Sequence, residues 1–318
     1  MGIKKTLLLS LALSMVICLI LMALYPEGAD FRLENPFWNG MSEINAIFRP
    51  VLLSSYAELP PAGRNMTLLL VGPDRDFTAD EVEAIARFIY GGGQVILADE
   101  AGFGNSLLER LNLSMRIGEG LVLDPLFKER SARLPRASYI SDGYSTEVIL
   151  NYASIIRGCN RPILQTSSFS YLDMNMNNEW DPQEEKGPFT VGCALRMGEG
   201  GLIVFSDSSL FINSMINLGS NREFLLHIIG DRRVLVDSTH WSRTTFTIAK
   251  SAVMRFIGFL NTFEVRYVLI SSAIIAIARL TPMRRRAMRR IVVEDVLRLN
   301  PSWNRDVLER LAREIKHD

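Results

Sequence analysis

Cysteine and histidine are scarce in this sequence, with three residues of each type among 318. No C-x-x-C pair occurs, which argues against a zinc site built from thiolates. Three cysteines are also too few for a disulfide framework. Cys18 lies within an apolar run, whereas Cys159 and Cys193 either pair or stay reduced, and their spacing does not decide between the two.

The formal net charge of the whole chain is zero, because 35 basic residues balance 35 acidic ones. The balance is uneven along the chain. Residues 26–264 hold 21 Lys and Arg against 29 Asp and Glu, a net of −8, and residues 281–318 hold 10 against 6, a net of +4. An acidic middle argues against nucleic-acid binding by the main domain. The contrast with the basic end is typical of a protein whose parts face different compartments.

One long run without charge occurs near the amino end, the 20 residues from Thr6 to Tyr25. As a helix it would span about 30 Å, the thickness of the hydrocarbon core. A cleavable signal peptide is the alternative, but the following Ala23-Leu24-Tyr25-Pro26 is a poor cleavage site. The run therefore predicts an uncleaved membrane anchor, with Lys4 and Lys5 on its cytoplasmic side.

A second, shorter apolar segment lies near the carboxyl end. Arg266 and Arg279 enclose 12 uncharged residues, which suffice for a span only if the arginine side chains reach the interface. A buried core helix is the alternative. Five arginines that follow favour a span under the positive-inside rule, namely Arg284, Arg285, Arg286, Arg289 and Arg290.

The sequence thus predicts a two-pass protein of the cell membrane with both termini in the cytoplasm. Its expected parts are a cytoplasmic start at 1–5, transmembrane helices at 6–25 and 263–280, an extracytoplasmic α/β domain at 26–262 and a basic tail at 281–318. Apolar positions on either side of Pro301 predict a short helical pair in the tail, too small to be stable alone. Two N-x-S/T triplets, at Asn65 and Asn112, permit glycosylation without establishing it.

Apolar runs alternate with helical patterns through the predicted extracytoplasmic domain. Residues 67–71 form an apolar strand, a capping box at Thr78 and Glu81 opens a helix, and residues 94–98 form the next strand. This order predicts two parallel strands buried on both faces. The remaining pattern is typical of a three-layer α/β domain with a mostly parallel sheet, with strands at 162–165, 190–195, 201–205 and 234–236 and helices at 105–111, 221–229 and 245–260.

Four segments of the chain resemble a known prokaryotic family. They are WNG at 38–40, GGGQVILADE-x-GFGNSLL at 91–108, GLIVFSDSSLFINS at 201–214 and NREFLL at 221–226. This combination resembles the family called domain of unknown function 4350. The resemblance implies a fold similar to class I glutamine amidotransferases, placed between two membrane spans, and it implies no activity.

The residues that amidotransferase chemistry needs are missing from the expected place. That chemistry uses a cysteine at a strand-to-helix turn with a histidine beside it, yet the turn after residues 94–98 reads D-E-A-G. No G-x-S-x-G motif occurs either. Between the two apolar segments, His227 lies on an apolar helix face that favours a structural role, and His240 is left as a catalytic or metal candidate.

Polar residues follow two of the predicted strands. Asp99, Glu100 and Asn105 come after one strand, and Asp207 comes after another. Ligands of open α/β sheets bind beyond the carboxyl ends of strands, so these four residues are candidate ligand-binding groups. The alternative is that they cap helices and solvate loops.

The most specific local pattern is the run DMNMNNEWDPQE at 173–184. Its oxygen-bearing residues take positions 1, 3, 5, 7, 9 and 12 of a 12-residue calcium loop, namely Asp173, Asn175, Asn177, Glu179, Asp181 and Glu184. Glu179 would supply its main-chain carbonyl and Glu184 a bidentate carboxylate. Asn178 stands where glycine is expected, and asparagine tolerates the positive φ of that turn. The alternative is an acidic surface turn.

Two hypotheses follow. The first is a non-catalytic, membrane-anchored binding or scaffold domain that takes Ca²⁺ and a protein partner or ligand within a membrane complex. The alternative is an enzyme of unknown chemistry that uses the carboxylates near Asp99, Glu100 and Asp207. Convergence of these three residues with His240 in one closed pocket would favour the enzyme.

Overall fold

The computed structural model describes residues 3–26, 28–141, 143–242, 244–280 and 293–314. The chain forms two compact units, Met1–Ala249 and Lys250–Asp318. The five arginines that favoured a second span lie outside the described residues.

A nine-stranded sheet forms the centre of the first unit, in the order β1-β13-β2-β3-β12-β11-β9-β6-β7. Two pairs of short strands, β10 with β5 and β4 with β8, lie apart from it. The strands are β1 Val51–Leu53, β2 Met66–Val71, β3 Gln94–Ala98, β4 Arg116–Ile117, β5 Leu121–Leu123, β6 Arg136–Ser141, β7 Tyr144–Ile149, β8 Ile156–Arg157, β9 Pro162–Thr166, β10 Tyr171–Asp173, β11 Thr190–Met197, β12 Gly200–Phe205 and β13 Arg233–Asp237.

The sheet is mixed rather than mostly parallel. Strands β1, β13, β2, β3 and β12 are parallel neighbours, as the β-α-β pattern predicts. Strands β11, β9, β6 and β7 continue the sheet in antiparallel pairs. The change has a local cause: only Gly198 and Glu199 separate β11 from β12, and so short a link joins antiparallel strands. The prediction of a mostly parallel sheet is therefore right for one half of the sheet.

Helices cover both faces of the sheet, because alternate residues of the central strands point to opposite sides. Leu68 and Val95 pack in one apolar cluster with α3, while Leu69 and Ile96 pack in another with α6. Each such side chain contributes about 1.5–3 kcal/mol on full burial. The helices of the first unit are α1 Ile3–Leu24, α2 Ser42–Phe48, α3 Ala79–Tyr90, α4 Asn105–Arg110, α5 Asn213–Ile216 and α6 Asn221–Ile229, with 3₁₀ turns at Tyr56–Glu58 and Ser208–Phe211.

One described helix, α1, is long and apolar enough to cross a membrane, and a signal sequence would have the same character. The predicted second span is not supported as a single helix. Helix α7 (Thr245–Leu260) and helix α8 (Phe263–Leu280) are separate and meet at a bend of 67°. Helix α8 alone is not a candidate membrane span, because it carries the charged side chains of Glu264, Arg266 and Arg279. The two helices are a candidate membrane span only if together they form one broken span.

The carboxyl tail is helical on both sides of Pro301, as predicted, in α9 (residues 293–299) and α10 (Arg305–Glu314). Val307 and Leu311 of α10 are about half exposed.

Candidate functional site

The carboxylate of Asp99 lies at the carboxyl end of β3 and is bound by the loop that follows. Its side chain is 1% exposed and accepts hydrogen bonds from the backbone N–H groups of Ala101 (2.8 Å), Gly102 (3.1 Å) and Gly104 (2.7 Å). Gly102 takes a φ of +93°, which a side chain would strain. Burial raises the pKa of Asp99 to about 6, although the Gly104 and Ala101 amides lower it.

Asp207 has the same role at the end of β12. Its fully buried carboxylate accepts the N–H groups of Asn151 (2.7 Å) and Ser209 (2.8 Å). Burial, and then the nearby charge of Glu100, raise the pKa of Asp207 well above its ordinary value. Asn105 exchanges two 2.8 Å hydrogen bonds with the backbone of Ile117 and so ties α4 to β4. For Asp99, Asn105 and Asp207 the loop-capping alternative therefore describes the contacts.

Glu100 is the predicted ligand-binding residue that reaches open space. Its Oε2 accepts the N–H of Ser208 at 2.8 Å, which holds the carboxylate between the ends of β3 and β12. The side chain lines a cavity of about 500 Å³, which we call the carboxyl-edge cavity. Leu121 and Ser154 are buried residues of its lining, and Tyr152, Met174 and Met176 add exposed apolar surface.

One wall of the carboxyl-edge cavity is held by Arg133. Its Nη1 donates to the hydroxyl of Tyr152 (2.6 Å) and its Nε donates to Oδ1 of Asn178 (2.8 Å). The guanidinium carbon also lies 5.3 Å from the centre of the Tyr152 ring. Tyr152, Met176 and Asn178 all have positive φ, at 59°, 59° and 65°. Such conformations in larger residues persist where surrounding contacts enforce them, which is common at binding sites.

Ser154 is a buried polar residue of the cavity lining. The residue is 2% exposed, and its Oγ has no hydrogen-bond partner among the described residues. Its backbone is fixed, since its N–H donates to the carbonyl of Ser206 (2.9 Å) and its carbonyl accepts from the Ser206 hydroxyl (2.8 Å). Buried polar groups are nearly always paired, so the Ser154 hydroxyl is an exception, and it is enclosed rather than open to the cavity.

His240 belongs to a different buried cluster, at the end of β13. Its Nδ1 lies 2.5 Å from Asp237 Oδ2, its Nε2 lies 3.4 Å from Glu81 Oε2, and its ring stacks on Phe77 at 3.8 Å between centroids. None of these residues lines the carboxyl-edge cavity. The structure therefore does not bring His240 together with Asp99, Glu100 and Asp207 in one pocket.

The contacts of Glu81 connect this second cluster to the start of α3. Burial opposes ionisation of its carboxylate, but the hydrogen bonds from Arg75 (2.7 Å) and from Thr78 outweigh that effect and lower its pKa to about 2. The same carboxylate completes the predicted capping box of α3. The cluster thus joins the start of α3 to the end of β13. His227, the other histidine of the domain, stacks on Tyr144 at 4.2 Å between ring centroids.

The 173–184 loop gathers its acidic and amide side chains by hydrogen bonds. Buried Asp173 accepts the N–H groups of Asn177 (3.2 Å) and Asn178 (2.8 Å). Asp181 Oδ2 accepts both asparagine side-chain amides, from Asn175 at 2.7 Å and from Asn177 at 3.1 Å. Asn178 takes a φ of 65°, as the turn requires.

Glu184 closes the 173–184 loop, because its two oxygens accept the N–H groups of Met174 (2.9 Å) and Asp181 (3.1 Å). The N–H of Glu179 binds back to Oδ1 of Asn177 (2.8 Å). Within the described residues, no three His, Cys, Asp or Glu side chains are grouped so that they could hold a metal ion. A cation here would thus also need amide oxygens, which requires Asn175 and Asn177 to turn their carbonyls inward.

Most of the cavity lining could not be found in the sequence. Glu100 was found because it follows an apolar strand. Arg133, Tyr152 and Ser154 lie between strands of two to six residues, where the sequence shows no continuous period. The positive φ of Tyr152 has no sequence signal either, because tyrosine is not a turn residue.

The comparisons with known proteins identify a family and no function. The family model described as "Domain of unknown function (DUF4350)" matches residues 38–229. A search of curated proteins gave no match. Among solved structures, the mmIFT52 N-terminal domain is similar over 51% of this chain and 74% of its own, with 14% identity and a TM-score of 0.40.

Two glycosidases are also similar in part. A catalytic mutant of Gan42B, a GH42 β-galactosidase from G. stearothermophilus, aligns over 54% of this chain and 22% of its own, with 14% identity and a TM-score of 0.30. The exo-β-1,4-mannosidase Op5Man5 from Opitutaceae bacterium strain TAV5 aligns over 52% and 23%, with 11% identity and a TM-score of 0.25. All three TM-scores are below 0.5, too low to assign a fold or a function to this chain. The amidotransferase-like fold stays a prediction.

Proposed function

Because the chain belongs to the family called domain of unknown function 4350, whose name assigns no activity, we propose its function from the site: a membrane-anchored, non-catalytic ligand-binding domain. The carboxyl-edge cavity carries the proposal. Its volume of about 500 Å³ falls in the range of small-molecule sites. It combines apolar walls with a few polar groups, the composition that such sites use to bind and orient a ligand.

Binding is favoured over catalysis because the candidate acids are already occupied. A general acid or base must lie within hydrogen-bond reach of the substrate. Asp99 and Asp207 direct their carboxylates at loop N–H groups, and the cavity lining contains neither histidine nor cysteine. Glu100 is left as an acidic anchor, and no Lys, Arg or His in the described part of the chain forms an ion pair with it. The enzyme alternative, with Asp99, Glu100 and Asp207 as reacting groups, therefore has less support.

The proposed placement is extracytoplasmic, with α1 as the anchor. A disulfide joins Cys159 to Cys193, with the two Cα atoms 6.0 Å apart, and such bonds persist in oxidising compartments. Lys4 and Lys5 precede the apolar part of α1 and favour a cytoplasmic amino terminus. A broken second span through α7 and α8 would return the basic tail to the cytoplasm. There the exposed apolar side chains of α10 would be free to contact a protein partner of a membrane complex.

Cysteine labelling in intact cells tests this placement. In a Cys18→Ala background, Glu185→Cys should react with a membrane-impermeant thiol reagent, because that side chain is 54% exposed on the outer domain. Arg289→Cys should react only after the cells are opened. Equal labelling of both positions would contradict the two-pass arrangement, and labelling of Arg289→Cys alone would invert it.

We also propose a calcium loop at 173–184, supported by the oxygen-ligand spacing of its sequence and by the positive φ of Asn178 at the turn position. The carboxylates of Asp173, Asp181 and Glu184 and the amides of Asn175 and Asn177 would hold the cation, with the main-chain carbonyl of Glu179. Bound Ca²⁺ would cross-link residues about ten positions apart and offset the repulsion among the carboxylates. Because Met174, Met176 and Asn178 belong both to this loop and to the cavity lining, an ordered loop would also order one wall of the ligand site.

Fragment binding tests the proposed function directly. The full-length chain in detergent micelles is titrated with a panel of small aromatic and aliphatic amines, alcohols and acids. At least one should bind saturably, one molecule per chain. Ser154→Leu should abolish this binding, since the buried lining has no room for the larger side chain and the cavity wall must shift. The matched control Ser138→Leu, at an exposed position of β6, should leave binding unchanged. Binding that survives Ser154→Leu in a variant that still melts cooperatively would contradict the proposal.

A further inference from the structure

Two exposed aromatic residues lie in the segment between α1 and α2. Phe37 is 38% exposed and Trp38 is 69% exposed, although both belong to types that usually bury most of their surface. Exposed apolar residues that are scattered singly are normal on a protein surface. These two are adjacent, and their backbone and their neighbours assign them a role.

The backbone of Phe37 and Trp38 is fixed by the folded domain. Fully buried Asn35 accepts the N–H of Phe37 at 2.8 Å. The carbonyl of Phe37 accepts the side-chain amide of Asn213 at 2.6 Å, and the carbonyl of Trp38 accepts the N–H of Ser214 at 3.0 Å. The two rings are thus presented at the surface by a held backbone, which lowers the entropic cost of a contact made there.

Tyr25 connects this pair to the end of the candidate membrane span. It directly follows α1, which ends at Leu24. Its ring centroid lies 6.0 Å from that of Phe37 and 6.0 Å from that of Phe246, in the first turn of α7. Three separate segments of the chain therefore place aromatic rings together at one end of α1. We call Tyr25, Phe37, Trp38 and Phe246 the aromatic cluster.

The position of the aromatic cluster along α1 corresponds to the lipid headgroup region. The 22 residues of α1 form a helix of about 33 Å, so a helix that crosses about 30 Å of hydrocarbon ends at the interface. Tyr25 then lies at the interface, and Phe37 lies beside it. Trp and Tyr are enriched at this level because an apolar ring and a polar N–H or O–H suit its two environments.

A protein partner is the other occupant that could cover exposed rings, but continuity with α1 favours lipid. Leu21 and Leu24, in the last turn of α1, are 60% and 76% exposed. In the proposed anchor these side chains face lipid, and the aromatic cluster begins at the next residue. The cluster therefore extends an apolar surface that is already in contact with the bilayer.

We propose that Phe37 and Trp38 insert their rings into the headgroup region of the membrane that α1 spans, so that the folded domain has a lipid contact of its own besides the helix. This inference rests on the proposed membrane placement. It goes beyond the binding function, because it assigns a lipid-contacting surface to the outer domain.

Tryptophan fluorescence in lipid nanodiscs tests this contact. The full-length chain carrying Trp303→Phe, which removes the tryptophan of the carboxyl tail, is placed in discs of phosphatidylcholine with or without bromine on the acyl chains near the headgroup. Bromine quenches tryptophan on contact, so Trp38→Phe should remove most of the lipid-dependent quenching while it keeps an apolar ring. The matched control Trp180→Phe, at a position 42% exposed in the 173–184 loop, should retain that quenching.

Iodide gives the reciprocal measurement, because it quenches tryptophan from water. Quenching by iodide should fall in Trp180→Phe and should stay unchanged in Trp38→Phe, since lipid shields Trp38. Lipid quenching that survives Trp38→Phe, or iodide quenching that this substitution removes, overturns the lipid contact while the anchor stands. A Trp38 that neither reagent quenches is covered by protein, which also overturns it. A chain that does not stay with the discs overturns the proposed membrane placement itself.

Discussion

Replacing Cys159 and Cys193 together by alanine is expected to lower the free energy of unfolding by about 4 kcal/mol. The two residues are 34 positions apart, and their link limits the freedom of a loop of that length in the unfolded chain. Cys193 lies within β11, at the antiparallel side of the sheet, and Cys159 follows β8. In a domain of this size the loss corresponds to a melting temperature lower by roughly 8–16 °C, measured by thermal unfolding of the full chain.

The third cysteine provides the control for this experiment. Cys18 lies on α1 and is unpaired among the described residues, so Cys18→Ala should leave the melting temperature unchanged. Reduction of the unmodified chain by dithiothreitol should reproduce the effect of the double substitution. A double variant with the same melting temperature as the unmodified chain would show that the bond does not form in solution. The disulfide would then no longer support an oxidising compartment.

Calcium is expected to have the next largest effect. Three carboxylates and two amides at the ligand positions suggest an extracellular type of loop, with a dissociation constant of roughly 10⁻⁴ to 10⁻³ M. At a concentration 100 times the dissociation constant, binding to the folded state alone adds about 2.7 kcal/mol to the free energy of unfolding. The melting temperature of the full chain should therefore rise when calcium replaces chelator in the buffer.

Two neighbouring glutamates allow a matched comparison. Glu184→Gln removes the bidentate charge and should abolish most of the calcium-dependent rise. Glu185→Gln removes the next carboxylate, which pairs with Arg157 outside the loop's ligand positions, and should keep the rise. If the curves with calcium and with chelator coincide, or if Glu184→Gln behaves like Glu185→Gln, then residues 173–184 form an ordinary surface turn.

The parts of the fold that the sequence predicts well are those with local signals of their own. The capping box of Thr78 and Glu81 places the start of α3, and both of its hydrogen bonds are present. Helix α6 and strand β3 have the predicted bounds, because an amphipathic period and a continuous apolar run both indicate where an element begins and ends. The short strands β4, β5, β8 and β10 have no such signal, since two or three residues cannot show a period.

The candidate site also has parts that the sequence predicts and parts that it does not. The sequence places Asp99, Glu100 and Asp207 at strand ends, and all three lie there. The hydrogen bonds that Asp99 and Asp207 accept from N–H groups two to five residues ahead are local. The sequence cannot show that Asp207 also binds the N–H of Asn151, 56 residues away, or that Glu100 binds the N–H of Ser208, 108 residues away, beside the cavity. The partners of Glu100 in the cavity come from segments that pack together only in the folded chain.

The predicted second span shows what composition alone cannot determine. Its prediction depended on composition, above all on the arginines that follow α8. The structure adds a bend of 67° between α7 and α8, which no count of apolar residues reveals. Glu264 and Arg266 in the first turn of α8 leave its uncharged part too short to cross about 30 Å of hydrocarbon as a straight helix.

The most direct measurement for the central claim is an experimental structure of the full chain with the tightest-binding fragment of the panel. We expect the fragment to lie in the carboxyl-edge cavity, with a polar atom within hydrogen-bond distance of the Glu100 carboxylate and with its apolar part against Tyr152. A fragment bound at another place on the domain, with the carboxyl-edge cavity left to solvent, would contradict the claim that this cavity is the binding site.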